Sequence, residues 1–242
     1  MKAPLITGLL ITGIATGGLI ATTTTASAAT IKTGYTKLTT ATTSRDLTST
    51  GKYALYTKPG TVKGAKVVAS KKLMKTFGTY SASDRAYFKT WRKNHAHKGS
   101  GYYFHAYGYE VTNTGRVYYK VVTMNGKYRG YVYGGKTLNR YSEGVKRAST
   151  TTTVSLSSIS NSLNTTDTVY PFKSFWNAPQ YTQYKAKLIA QAYDYPTDKL
   201  TVVKSVIRTR EQDSYLYVNN QTHPKLSGWT RLVAGYPNEN WV

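Results

Sequence analysis

The 242-residue chain contains no cysteine, which excludes disulfide scaffolds, thiolate metal sites and cysteine nucleophiles. Acidic residues are scarce too: ten Asp and Glu stand against 33 Lys and Arg, a formal net charge of +23. That shortage thins the supply of catalytic carboxylates and excludes the acidic-to-neutral surface usual for a metabolic enzyme. Charged residues total only 18%, so the basic balance comes from missing acids rather than from a surfeit of cations. What is plentiful is tyrosine, with 23 residues, and apolar residues make up 40%, enough for a packed core. A disordered polycation is therefore excluded, and the length fits one large domain or two small ones at about 100–200 residues per domain. Unbalanced positive charge points to a polyanionic partner: nucleic acid, an acidic membrane or an acidic wall polymer.

Long apolar runs are missing except at the start. Lys2 precedes an almost wholly apolar or small stretch from Leu5 to Ala21, and Ala26-Ser27-Ala28 follows as a small-residue cleavage site. Residues 1–28 are thus predicted to be a secretory signal peptide. A membrane anchor is the weaker alternative, because the stretch is glycine-rich and barely long enough to span a bilayer. Cleavage removes one positive charge and places the rest outside the cell, with no membrane insertion afterwards. Export argues against nucleic acid as the natural ligand. A cysteine-free, tyrosine-rich secreted chain fits the outside of a Gram-positive cell.

Residues 29–50, rich in Thr, Ser and Ala, are predicted to be a poorly ordered lead-in. Residues 51–141 are strand-like, 142–168 form a Ser/Thr-rich linker that includes Thr150–Thr153, and 169–242 are strand-like again. A two-part pattern repeats across the linker. Val117-Tyr118-Tyr119-Lys120-Val121 and Gly130-Tyr131-Val132-Tyr133 in the first half match Tyr215-Leu216-Tyr217-Val218 and Gly228-Trp229-Thr230-Arg231 in the second. Upstream, Glu110-Val111-Thr112 is aligned with Ile207-Arg208-Thr209. Two diverged copies of one β module explain this pattern.

In the first copy Asn125-Gly126 predicts a two-residue type I′ hairpin, which sets Val122 opposite Arg129. Alternation then places Tyr118, Lys120, Val122, Arg129, Tyr131 and Tyr133 on one face, expected to be an aromatic–cationic surface. Val117, Tyr119, Val121, Tyr128 and Val132 fall on the other, expected to be the core. Trp229 and Arg231 occupy the positions of Tyr131 and Tyr133. One short helix is predicted, capped by Ser83, with Asp84 in its first turn, a stripe of Tyr87, Phe88 and Trp91, and an end near Asn94. Lys71, Lys72 and Lys75 read as a solvated face.

These residues carry a resemblance. Tyr56-Thr57-Lys58-Pro59-Gly60, Gly64-Ala65-Lys66-Val67-Val68-Ala69, the Val117–Val122 and Tyr128–Gly135 runs, Trp176–Ala186, Thr209-Arg210-Glu211 and His223–Trp229 resemble segments of lactobacillal surface-layer and surface-layer-associated proteins. The resemblance covers most of residues 51–242. It implies an all-β chain of two small SH3-like β-barrel modules of the Gly-Trp type in tandem. It further implies non-covalent attachment to the cell wall through teichoic acid or another anionic wall polysaccharide. Two departures stand out: Gly130-Tyr131 replaces the commoner Gly-Trp, and the chain ends at Val242 without a long self-assembly region. The expectation is a short anchoring or surface-layer-associated protein, with lattice assembly as the rival.

The chemistry suits such a ligand. Lys and Arg displace the counterions of a polyanion, which makes affinity salt-dependent, while aromatic faces pack on sugar C–H edges and Arg gives a planar, bidentate phosphate donor. Candidate ligand-binding residues are Lys120, Arg129, Tyr131, Tyr133, Trp229 and Arg231, with Tyr118, Trp176, Tyr181 and Lys185 as secondary candidates. Strand tyrosines also build scaffolds, and Trp229 fits either core or ligand shelf. No catalytic residue, metal or cofactor is expected. His95-Ala96-His97 lacks the upstream His and Asp ligands of wall-degrading zinc peptidases, and no G-x-S-x-G elbow occurs. The alternatives are a host-facing adhesin binding mucin or acidic matrix glycans, and, less favoured, a wall hydrolase.

Overall fold

A computed structural model describes residues 28–90, 99–157 and 174–232. The signal-peptide prediction, His95-Ala96-His97, the predicted helix end and most of the linker's second half lie outside the described residues. The described chain is mostly β-sheet with two helices. In order it runs β1 (Ile31–Lys37), β2 (Asp46–Ser49), β3 (Leu55–Tyr56), β4 (Val67–Ala69), α1 (Lys71–Gly78), α2 (Ala82–Thr90), β5 (Phe104–Thr112), β6 (Val117–Thr123), β7 (Arg129–Gly135) and β8 (Val145–Arg147). The second half supplies β9 (Thr151–Val154), β10 (Ser174–Trp176), β11 (Leu188–Gln191), β12 (Leu200–Arg208), β13 (Ser214–Asn220) and β14 (Gly228–Arg231).

The first sheet has the order β4-β3-β7-β6-β5-β2-β8, with β1 also pairing β5, and the second has the order β11-β10-β14-β13-β12-β9. Neither strand path closes on itself among the described residues. Strand for strand, the two share one plan. β1 pairs with the far half of β5, Ile31 opposite Thr112, as β9 pairs with the far half of β12, Thr151 opposite Arg208. Both long strands are bulged at the same place, β5 between Ala106 and Gly108, β12 between Val202 and Lys204. Val121 opposite Gly130 corresponds to Val218 opposite Gly228. The repeat read from the sequence is thus a repeat of topology, with one correction: the registers make Glu110 equivalent to Val206, one residue earlier than the sequence alignment had it.

The segments read as lead-in and linker also need correcting. β1 and β2 lie in the lead-in and pair with β5. β8 and β9 lie in the linker; β8 pairs with β2, and β9 pairs with β12. Thr, Ser and Val suit a strand as well as a spacer, and composition cannot tell whether a partner edge stands nearby.

The β6–β7 register is as predicted, Val122 opposite Arg129, though the turn differs. Of Asn125 and Gly126 only Gly126 has a positive φ, 75°, so the turn is not type I′. Gly126 N–H donates to Thr123 O at 2.8 Å, and Thr123 N–H donates to Tyr128 O at 2.9 Å, leaving a four-residue loop. Both loops centre between residues 125 and 126, which preserves the pairing.

Two helices stand among the described residues where one was predicted. Ser70 Oγ caps α1 by accepting from Leu73 N–H at 3.3 Å, and Met74 and Phe77 turn into the core. Leu73, Met74 and Phe77 at helical spacing behind a serine cap were the overlooked signal. α2 is capped by Ser81 rather than Ser83: Ser81 N–H donates to Asp84 Oδ2 at 2.8 Å while Asp84 N–H donates back to Ser81 Oγ.

Val117, Tyr119, Val121 and Val132 pack with Leu47, Phe77, Phe104 and Val145 in the first core, as alternation predicted. The second core is smaller, built on Phe175, Ala192, Leu216 and Val218. The β12–β13 hairpin tip joins the two halves. Glu211, 2% exposed, accepts from Ser100 N–H at 2.5 Å and Ser100 Oγ at 2.7 Å. Arg210 donates to Gly99 O and Thr48 Oγ1 and lies 3.8 Å from the centroid of the Tyr103 ring. Behind them Arg208 makes a two-pronged bond to Asp213 at 2.7 and 2.6 Å.

Candidate functional site

A Gly-aromatic pair begins the site in each half. Gly130 lies against the Tyr56 carbonyl so closely that a Cβ would collide with it, and a Cβ on Gly228 would come within 2.8 Å of Trp176 O. The glycine lets β7 approach β3, and β14 approach β10, so that Tyr131 pairs with Tyr56 and Trp229 with Trp176.

In the first sheet Lys120 stands opposite Tyr131. Its Nζ lies 5.3 Å from the Tyr131 ring centroid, 5.2 Å from Tyr35 and 6.0 Å from Tyr107, within the range of cation–π attraction. Tyr107 is the bulged residue of β5, and a bulge re-aims the side chain it carries. Arg129 continues the strip: Nη1 donates to Tyr107 Oη at 3.4 Å and Nη2 to Tyr184 Oη at 2.8 Å. Tyr184 belongs to the second half, stacks on His105 at 5.9 Å, and has Lys185 Nζ 5.9 Å from its ring. Lys120, Arg129 and Lys185 are thereby brought into one ribbon that crosses from the first sheet to the second half, with the buried Tyr131 ring packed against Lys120.

Burial pushes the Tyr107 phenol up, against the lowering effect of the Arg129 hydrogen bond. Burial, together with the Glu110 carboxylate, does the same to Tyr131, whose hydroxyl donates to Glu110 Oε1 at 2.5 Å. Both phenols stay neutral at physiological pH and offer polar hydroxyls rather than negative charge. Glu110 is occupied by Tyr131, leaving Lys120, Arg129 and Lys185 as the charges the ribbon presents.

The second sheet exchanges the parts. Lys120 corresponds by register to Tyr217, and Gly108 to Lys204. Lys204 Nζ lies 4.8 Å from Tyr217 and 5.4 Å from Trp229, whose rings meet edge-on at 5.4 Å. In the first sheet the Tyr35 ring fills the space over Gly108, where a Cβ would collide with it. Each half thus holds one lysine against the aromatic residue that follows its glycine. In the first half that lysine comes from the central strand, in the second from its neighbour.

The remaining candidates sit elsewhere. Tyr118, Tyr131 and Tyr133 are 3%, 5% and 8% exposed, and with Tyr53 form a second, smaller apolar cluster. This corrects the expected open aromatic face: alternation places these rings on one side of the sheet but does not reveal what covers them. Tyr133 meets Tyr53 edge-on at 5.0 Å, and Arg116 lies over its ring at 5.2 Å. Arg231 pairs with Asp213 at 2.8 Å and serves the hairpin. Trp176 is half-buried and donates to Ser174 Oγ. Tyr181 is 38% exposed with a φ of 61°. Tyr35, Tyr107, Tyr184, Glu110 and Lys204 were not singled out from sequence. Tyr35 lay in the supposed lead-in, the bulge shifted Tyr107 out of simple alternation, and Tyr184 joins the ribbon only through the packing of the two halves.

No protein-family model matches the chain, and no curated protein matches it. Among solved structures, a "putative autolysin" from Listeria monocytogenes aligns over 84% of this chain and 64% of its own length, at 13% identity and a TM-score of 0.26. The chain therefore spans less than two thirds of that protein, and a superposition this loose carries no argument about fold or activity.

Proposed function

We propose that this is a non-catalytic, secreted surface protein that attaches non-covalently to the Gram-positive cell wall as a surface-layer or surface-layer-associated protein. Its ligand is teichoic acid or another anionic wall polysaccharide, and its two repeated units are diverged SH3-like modules. The observation that carries this reading is the ribbon of Lys120, Arg129 and Lys185 interleaved with Tyr35, Tyr107 and Tyr184. Rings supply flat apolar faces with polar edges for sugars, and the cations supply phosphate partners. The matching Lys204–Tyr217–Trp229 group gives a second weak site, and two tethered sites raise effective concentration. Among the described residues no helix is long and apolar enough to cross a membrane, which fits a protein held at the surface by its ligand.

The test is sedimentation of the protein with purified walls over a salt series, before and after acid extraction of teichoic acid. Binding should fall steeply with salt and with extraction; binding that survives both overturns the reading. R129A and K204A, checked for unchanged circular dichroism, should each weaken pull-down. R231A should weaken it less, since Arg231 is engaged with Asp213.

A further inference from the structure

The first sheet carries elements that its counterpart lacks among the described residues, and three of them converge on one place. β2, α1 and β8 border an open cleft of about 390 Å³ lined by Ser49, Thr50, Lys52, Lys75, Thr79 and Lys146, with Gly78 in its wall. Two glycines bring the walls together. A Cβ on Gly78 would collide with Ser49 O, and one on Gly51, whose φ is 75°, would come within 2.8 Å of Lys75 Cα. α1 can therefore lie directly on β2 with Lys75 on the side of Lys52.

The three lysines are exposed, and among the described residues none is in an ion pair. Ser49 is 3% exposed; its hydroxyl accepts from Gly51 N–H at 3.1 Å and has no acceptor for its own proton among the described contacts. Thr50 and Thr79 spend their protons on Glu143 O and Lys75 O, and so serve as walls. α1 ends here, and a helix C-terminus carries about −0.5 of an elementary charge. Three ammonium groups outweigh it, and Thr79 already satisfies the Lys75 carbonyl.

We propose that this cleft is a phosphate-binding site, distinct from the tyrosine ribbon, that takes a phosphomonoester or phosphodiester group. Lys52, Lys75 and Lys146 supply the charge, and the Ser49 hydroxyl supplies a donor fixed by burial. The cleft has no aromatic wall, so it selects the phosphate and not the sugar or polyol beside it. The site does not depend on the wall-binding reading, since the same chemistry would hold a small free phosphate ester.

The test uses the full chain with its lysines reductively methylated with carbon-13, which keeps their charge. It is titrated at constant ionic strength with inorganic phosphate, glycerol phosphate and a poly(glycerol phosphate), against potassium chloride. Methyl signals of Lys52, Lys75 and Lys146, assigned through single Lys→Arg variants, should move together and saturate. The K52Q/K75Q/K146Q variant should lose at least about tenfold in affinity, S49A should lose less, and K199Q, at an exposed lysine of the second half that belongs to neither surface, should bind phosphate as before. Saturation by inorganic phosphate or glycerol phosphate identifies a small ester as sufficient, whereas saturation by the polymer alone identifies the chain phosphodiester. Failure of the three signals to move, or shifts spread evenly over all lysines, overturns the proposal. Sedimentation with walls, run on the same variants, reports separately on the ribbon.

Discussion

The two halves share a strand plan but differ in what surrounds it. Among the described residues, the main cluster of the first half buries fifteen, with α1 supplying Met74 and Phe77 and the flanking strands supplying Leu47 and Val145. The cluster of the second half buries four of the described residues, Phe175, Ala192, Leu216 and Val218, with half-buried neighbours such as Ile189 and Leu200 packed against them. A small sheet that buries little apolar surface is marginal by itself. The second half gains what it lacks by inserting the Arg210–Glu211 tip into the first, where Ser100 N–H and Oγ meet the carboxylate. The two halves share a strand scaffold, and Thr48, Gly99, Ser100 and Tyr103 of the first form the surface on which the tip of the second rests.

Breaking that junction should have the largest effect. E211A leaves Ser100 N–H without its acceptor and removes the carboxylate next to Arg208, 3.6 Å away. Loss of one partner from a buried charged network costs about 3–5 kcal/mol. Urea unfolding should then resolve two transitions, the second half melting first; a single transition at the original midpoint would show that the tip contributes nothing.

The two glycines offer a sharper comparison. G130A drives a methyl into the Tyr56 carbonyl, whereas G228A brings one within 2.8 Å of the Trp176 carbonyl. Overpacking of this kind costs about 1–3 kcal/mol, and G130A should be the worse of the two by thermal unfolding. The reverse order would mean that the smaller second core tolerates the displacement less.

The smallest effect is a difference in pH response between two Asp–His pairs. Asp46 meets His105 at 3.2 Å, both buried, and burial pushes its carboxyl above the ordinary value despite the imidazole. Asp198 is also pushed up by burial, but accepting from Asn220 and His223, His223 at 2.8 Å, outweighs that and holds it below the ordinary range. A raised carboxyl makes the folded state the better proton acceptor. The Asp46 region should therefore gain stability as pH falls through its folded value, the gain being complete below the ordinary Asp pKa. A lowered carboxyl does the opposite: the Asp198 contribution is present above the ordinary value and is lost as pH falls through the folded one. Amide exchange followed downward from pH 7 should show protection around Asp198 failing at acid pH, and D198N should abolish that dependence. Equal loss around both pairs would contradict the two directions.

Much of this was legible beforehand in particular residues. Val122 opposite Arg129, the core face of Tyr119 and Val121, and the equivalence of Trp229 with Tyr131 follow from alternation about a turn and from the repeated glycine. α1 is hard to read from sequence because eight residues with three lysines leave only Leu73, Met74 and Phe77 to mark a helical stripe. β9 was overlooked because a threonine run is equally a spacer and a strand until an edge is found for it. The ribbon was half legible: Lys120, Arg129 and Lys185 were named, but Tyr107 depends on a bulge and Tyr184 on how the halves meet.

The sequence by itself determined the excess of positive charge, the repeat with its two Gly-aromatic pairs and the parity of the strands. These are properties of composition and of a period-two backbone, and they need no knowledge of distant neighbours. Only the tertiary structure decided that Tyr118, Tyr131 and Tyr133 are covered, that Arg210 and Glu211 serve the junction, and that Lys52, Lys75 and Lys146 share a cleft. Periodicity fixes which side of a strand a residue takes, but burial and charge clustering depend on which remote elements pack against that side.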